Sequence, residues 1–167
     1  MLAEKLKNNM AIFGAGSNWD GTEMCRDFFT KGLFIIGWDR ASGRDLQSSL
    51  ASLKIGDIIY LKASRPGSRN LRIKGIGIVT RSFVECIQRG EYGNELPSNW
   101  QSFFIRVAWI IQDEFRINIP PNEGRLTHIR SGTFYEEPLP FVQEEIVSRI
   151  TSAFVLNINR AKYGIKA

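Results

Sequence analysis

The chain has 167 residues, 43% of them apolar and 23% charged, which fits one domain over residues 1–167 with a single core and excludes wholesale disorder. Its 22 basic and 17 acidic residues give a formal charge of +5, favouring phosphate-bearing or acidic partners, and its 11 phenylalanines predict an aromatic-rich core. Two cysteines without CxxC spacing and a single histidine, His128, suggest neither a zinc site nor a disulfide framework, so neither a metal nor a cofactor is expected.

Residues 1–10 are mostly polar and read as a short helix or a tail. Met1-Leu2-Ala3-Glu4-Lys5 opens into a charged segment rather than a signal peptide, and no later run approaches the roughly 20 apolar residues of a membrane span. A cytoplasmic protein with no membrane partner is therefore expected. Ala11-Ile12-Phe13-Gly14-Ala15-Gly16 predicts a first strand, and Ser17-Asn18-Trp19-Asp20-Gly21 a polar turn able to line a pocket mouth. Asp20 and Glu23 have the spacing of a capping box, ahead of a helix that carries Met24, Cys25, Phe28 and Phe29 on one side and ends at Lys31-Gly32.

The run from Gly32 to Ile36 has no polar alternation and predicts a strand covered on both faces. It stops at Gly37-Trp38-Asp39, where a turn delivers a flat ring and a carboxylate together. A ring beside an acceptor can hold a planar base, which makes Trp38 and Asp39 the central candidate site. The competing reading is a core tryptophan followed by the first residue of a turn.

Ser42 and Asp45 repeat the capping-box spacing ahead of Leu46, Leu50 and Leu53, predicting a second helix. Lys54-Ile55-Gly56-Asp57 then turns into a strand over Ile58 to Ala63, and a basic loop leads to another over Ile73 to Thr80. On one face of that strand Gly75 and Gly77 permit sharp curvature or the close approach of another element. Residues 88–100 predict a long surface loop that can act as a lid, residues 103–111 a strand, residues 119–124 an irregular crossing, and residues 125–135 a strand or extended loop. After Pro138-Leu139-Pro140, Val142, Ile146, Ile150 and Phe154 recur every four residues and predict a helix, with Glu144 and Glu145 near its start.

Two sets of side chains can carry chemistry. Between Lys62 and Lys74 lie five cations (Lys62, Arg65, Arg69, Arg72, Lys74) and no acid, a pattern that can follow a phosphate backbone or mark a solvated hairpin tip. Trp19, Trp38, Tyr60 and Trp100 fall at strand ends or in loops, where a stacked base is worth about 1–3 kcal/mol. Core packing also explains each ring singly, and Trp109, in mid-strand, belongs to the core. No nucleophile motif accompanies His128, and Gly14-Ala15-Gly16 lacks the rest of a dinucleotide fingerprint or P-loop. No catalytic residue is assigned, and an enzyme is not expected.

The order of strand, helix, strand ending in Gly37-Trp38-Asp39, capped helix, Lys54-Ile55-Gly56-Asp57-Ile58-Ile59-Tyr60 and Gly75-Ile76-Gly77-Ile78-Val79 resembles the PUA-like superfamily, above all its EVE and YTH branches. The resemblance covers residues 11–80 in detail and the remainder in outline. It implies an α+β fold, a curled, mostly antiparallel β-barrel flanked by helices, and a pocket for a flipped-out or unpaired base, modified by methylation, in DNA or RNA. By position it implies Trp38 as a wall of an aromatic cage and Ser17 and Asn18 as contacts to the base edge, with Asp39 as a hydrogen-bond partner.

The leading expectation is a non-catalytic nucleic-acid reader. Its base-binding set is Trp38, Asp39, Ser17, Asn18, Trp19, Tyr60 and Trp100, and its phosphate-binding set is Lys62, Arg65, Arg69, Arg72 and Lys74. The alternative from the enzyme class is an ASCH-like hydrolase of modified nucleosides using Lys62 and Glu136. A free-nucleotide sensor or protein-interaction module is the third.

Overall fold

The computed structural model describes residues 10–37, 43–64, 67–91, 104–123 and 133–163. In chain order the described elements are β1 (Ile12–Gly16), β2 (Asn18–Trp19), β3 (Thr22–Glu23), α1 (Cys25–Lys31), β4 (Leu33–Ile35), α2 (Arg44–Ala51), β5 (Ile58–Ala63), β6 (Asn70–Arg81), α3 (Phe83–Gln88), β7 (Phe104–Ile111), β8 (Phe115–Asn118), β9 (Phe134–Glu136) and α4 (Pro140–Tyr163). Seven strands form one sheet in the order β4-β7-β6-β5-β1-β9, with β8 also paired to β6, and β2 and β3 make a separate two-stranded ribbon. Among the described pairs only β1 and β5 run parallel. The architecture is α+β, a mixed, mostly antiparallel sheet curled into a half-barrel with four described helices.

The curl originates in β6, which spans 12 residues and is paired along one edge by β5 and along the other by β8 and then β7. Its register shifts at Ile76/Gly77 and Val79/Arg81 toward β7, and the β5 pairing shifts at Leu61/Lys62. Such bulges bend a strand and increase its twist. The two glycines of β6 admit close neighbours: a Cβ at Gly75 would lie 2.6 Å from the Phe29 ring, and one at Gly77 2.3 Å from Cγ1 of Val107.

Alternation along the strands sorts apolar side chains into two cores. Phe13, Ala15, Ile59 and Leu61 join a cluster with Phe28 of α1, Leu50 of α2 and the buried run Leu33 to Ile36. Ile12, Ile58 and Tyr60 point the other way, into a cluster with Val142, Ile146 and Ile150 of α4. Phe154 continues that helical spacing but is 43% exposed, so the buried stripe stops at Ile150.

Several local expectations are corrected. Asp20 and Glu23 do not cap a helix: Asp20 (φ 47) and Gly21 (φ 89) form the turn between β2 and β3, and α1 starts after Met24 without a side-chain cap. The helix does end at Gly32, in the left-handed conformation. The helix α2 has Gly43 at its N-cap, without a side-chain cap, and Ser42 lies outside the described residues. The basic loop is mostly strand, with Lys62 on β5 and Arg72 and Lys74 on β6. Besides the β2–β3 ribbon, two further unforeseen elements are β8 and α3, the latter opened by a capping box in which Ser82 and Glu85 each bond the other's backbone nitrogen. Residues 1–9 of the predicted tail, most of the predicted surface loop and residues 125–132 lie outside the described residues. No described helix is long and apolar enough to cross a membrane.

Candidate functional site

β1 and β5 end side by side, with Gly16 in register with Lys62. Beyond β1 the chain doubles back through the β2–β3 ribbon, which returns Glu23 to the level of Ser17. Between these elements lies a cleft of about 340 Å³ lined by residues 16–20 and by Gly37, Lys62, Ala63, Ser64, Lys74 and Thr133. Its size falls at the lower end of small-ligand sites, about 300–1,000 Å³.

Trp19 forms part of the wall. Its indole meets the ring of Phe28 edge-on, with centroids 5.8 Å apart and planes at 64°. On its other flank is the backbone of Gly37, where a Cβ would stand 2.3 Å from indole Cδ1 and Nε1. The glycine ahead of Trp38 is thus needed for the close approach of a second tryptophan. Asn18 accepts a hydrogen bond from the Gly21 amide at its Oδ1 (3.0 Å), so the amide nitrogen is the group it can offer a ligand.

Ser17 is fully buried beneath the cleft. Its hydroxyl donates to Glu23 Oε1 at 2.6 Å and accepts from Lys74 Nζ at 3.0 Å and from the Cys25 thiol at 3.1 Å, which fills its hydrogen-bonding capacity. The hydroxyl, expected at a base edge, is thus spent on partners in the floor of the cleft that Ser17 lines. Lys74 also ion-pairs with Glu23. Burial alone would raise the Glu23 carboxyl, but hydrogen bonds from Lys74, Ser17 and Cys25 and the Lys74 charge outweigh it and hold the group at about 2. Burial pushes the Cys25 thiol up to about 12. A nucleophilic serine needs a base to take its proton; here that proton points at a carboxylate too weakly basic for the task near neutrality.

A second cleft of about 450 Å³ adjoins the first, sharing Ala63 and Ser64, and is lined further by Ser68, Asn70, Arg72 and Arg116. Together they make a pocket with one aromatic wall opening toward a basic trough.

The remaining expected site residues divide three ways. Trp38, Asp39, Trp100 and Arg65 lie outside the described residues. Tyr60 is corrected: it is fully buried, its hydroxyl donates to Glu137 Oε2 at 2.6 Å and lies 2.8 Å from the Tyr135 hydroxyl, so its ring is closed to any base. Burial, and then the neighbouring Tyr135 and Glu137, push its phenol well above the usual range. Among the expected phosphate contacts, Lys62 is 7% exposed with its ammonium 5.4 Å from the Tyr135 ring centroid, Arg69 donates to the Pro120 carbonyl at 2.7 Å, and Arg72 ion-pairs with Glu114 at 2.5 Å. With Lys74 on Glu23, the described cations are engaged within the protein rather than arrayed as a bare comb.

Lys62 and Glu136 do not come together either. Lys62 faces Tyr135, and strand alternation sends the next residue, Glu136, to the opposite face of β9. The buried carboxylate on the Tyr60 side is Glu137, which also accepts from the Leu139 amide at 2.9 Å. Sequence reasoning passed over Glu137, Glu23 and Arg116. Of these only Glu23 had a legible cue, the Asp20-Gly21 dipeptide that favours a tight hairpin and folds Glu23 back on Ser17.

No family model and no curated protein matches the chain. Among solved structures it is similar to a hypothetical protein from Leishmania major, with a TM-score of 0.50 and 9% identity over 86% of this chain and 96% of that one. At that identity the likeness is one of fold.

Proposed function

We propose that this chain is a non-catalytic PUA-like domain that reads an unpaired or flipped-out base, modified by methylation, in DNA or RNA. The observation that carries the reading is the adjacency of the two clefts: a pocket that Trp19 helps to line shares Ala63 and Ser64 with a trough containing Arg72 and Arg116. A base needs a flat apolar face and a few polar groups at its edge, and the phosphates beside it need cations. Asn18 offers its amide donors, which suits a base presenting ring nitrogens or oxo groups. Trp38 follows Gly37 directly and supplies the second ring in this reading. A methyl group buried between two rings adds about 0.8 kcal/mol, enough for a several-fold preference.

The test is binding of single-stranded oligonucleotides with and without a methylated base, at low salt, to the native protein and to Trp19→Ala and Trp38→Ala. Native binding with preference for the methylated strand is expected, and loss of either ring should weaken it by about 1–3 kcal/mol. Absence of native binding at low salt, or full affinity in both variants, would dismiss the reading.

A further inference from the structure

The second cleft contains an arrangement that base reading by itself does not explain. Arg72 on β6 and Arg116 on β8 are directly opposed partners in the antiparallel register, so two guanidinium groups share one face of the sheet. Like charges placed opposite each other destabilise a strand pair. Glu114 is taken up by the ion pair with Arg72, although the Arg116 charge also reaches it and helps to hold it below the usual carboxylate range, behind the Arg72 contact. Glu114 is thus paired with Arg72, and no ion pair of Arg116 is seen among the described residues. Arg116 Nη1 donates instead to a neutral group, Asn70 Oδ1 at 2.6 Å, and Asn70 Nδ2 passes the chain on to Asn118 Oδ1 at 2.7 Å. This chain holds the guanidinium in place without neutralising it, which is how an anion site is kept open and pre-oriented. The hydroxyl of Ser68, which receives the Asn70 amide at 3.1 Å and donates to the Asn70 carbonyl at 3.3 Å, braces the start of β6 beside Arg116, and Ser64 adds to the polar lining of the cleft.

We infer that the second cleft holds a phosphodiester of the bound strand, the one beside the base seated in the first cleft, with Arg116 as its principal cation. The inference rests on the base-reading proposal for its choice of anion. The bridging phosphate relieves the opposition of Arg72 and Arg116 and draws both arginines to one side of the strand. Ser64, common to both clefts, then lies at the junction of sugar and phosphate.

The experiment measures affinity for a single-stranded oligonucleotide across a salt series for the native protein, Arg116→Gln and Trp19→Ala, with thermal unfolding of all three as a control of folding. Arg116→Gln should lower the slope of log K against log salt by about 0.7 and weaken binding at low salt, while the preference for the methylated strand stays at the native ratio. Trp19→Ala should do the reverse, losing preference and keeping the slope. An Arg116→Gln protein with native slope and affinity overturns the inference and leaves base reading standing. If no oligonucleotide binds, base reading falls, and thermal stabilisation by pyrophosphate decides the anion site: stabilisation of the native protein that Arg116→Gln abolishes supports it, and equal response of the two overturns it.

Discussion

Glu23 has a side chain 45% exposed, yet its carboxyl is held at about 2, against an ordinary value of 4.5, because Lys74, Ser17 and Cys25 all donate to it or stand beside it. A carboxyl depressed in the folded state contributes stability that is present above its unfolded value and lost as pH falls through its folded one. Solvent screening at so open a position reduces the contribution to about 1 kcal/mol. Lys74→Met removes the main donor, so the native protein should exceed the variant in stability at neutral pH, with the gap closing as pH falls from 4.5 toward 2. Urea unfolding at both ends of that window reads the gap directly. A gap that survives acidification would mean that Lys74 acts through packing of its stem, not through Glu23.

The β2–β3 ribbon is the element that converts this cluster into a cleft wall, since it holds Asn18 and Trp19 on one arm and Glu23 on the other. Its turn depends on Gly21 at φ 89, with nothing within 4 Å of the site a Cβ would occupy. Gly21→Ala therefore meets no clash and costs only backbone strain, about 1–2 kcal/mol. Gly56, at φ 92 and equally open, carries the same strain at the other end of β5. Both alanine variants should melt lower by similar amounts, and only Gly21→Ala should lose oligonucleotide affinity. Equal affinity in the two would detach the ribbon from the site. Elements written in local pattern were legible: the run Leu33 to Ile36, the four-residue recurrence through Ile150, the glycines that admit Phe29 and Val107. What escaped was set by chain return. Asp20–Glu23 matches a capping box by spacing, and only the left-handed Asp-Gly turn makes it a hairpin; Ser82–Glu85 has the same spacing and does cap a helix. The isolation of Tyr60 depends on Tyr135 and Glu137, 75 and 77 residues later, which no local pattern announces. Arg116 became a candidate only through its register with Arg72.

At the scale of the molecule, the sheet serves two cores at once. β1 sends Phe13 and Ala15 into one cluster and Ile12 into the other, and β5 divides Ile59 and Leu61 from Ile58 and Tyr60 in the same way. Neither core can assemble without strands that the other also requires, so unfolding should be a single cooperative event. The cleft sits where these two strands end, and its geometry is therefore tied to both cores. Ile146→Ala, in the α4 cluster, provides the test, because the two described tryptophans, Trp19 and Trp109, belong to the opposite one; Trp38→Phe/Trp100→Phe serves as the background in which fluorescence reports these two alone. Truncation of a buried isoleucine costs about 2–5 kcal/mol. If the cores are coupled, Ile146→Ala lowers the denaturant midpoint reported by tryptophan fluorescence as much as the midpoint reported by circular dichroism. If they are separable, the fluorescence transition stays at its native position while the helical signal moves, and the sheet would have to be regarded as two units meeting at β1 and β5. Phe34→Ala, in the tryptophan-bearing cluster, should shift both probes by about 3–5 kcal/mol, and the double variant should lose the sum of the single losses to within about 0.5 kcal/mol, as expected for sites that share no partner in a two-state molecule.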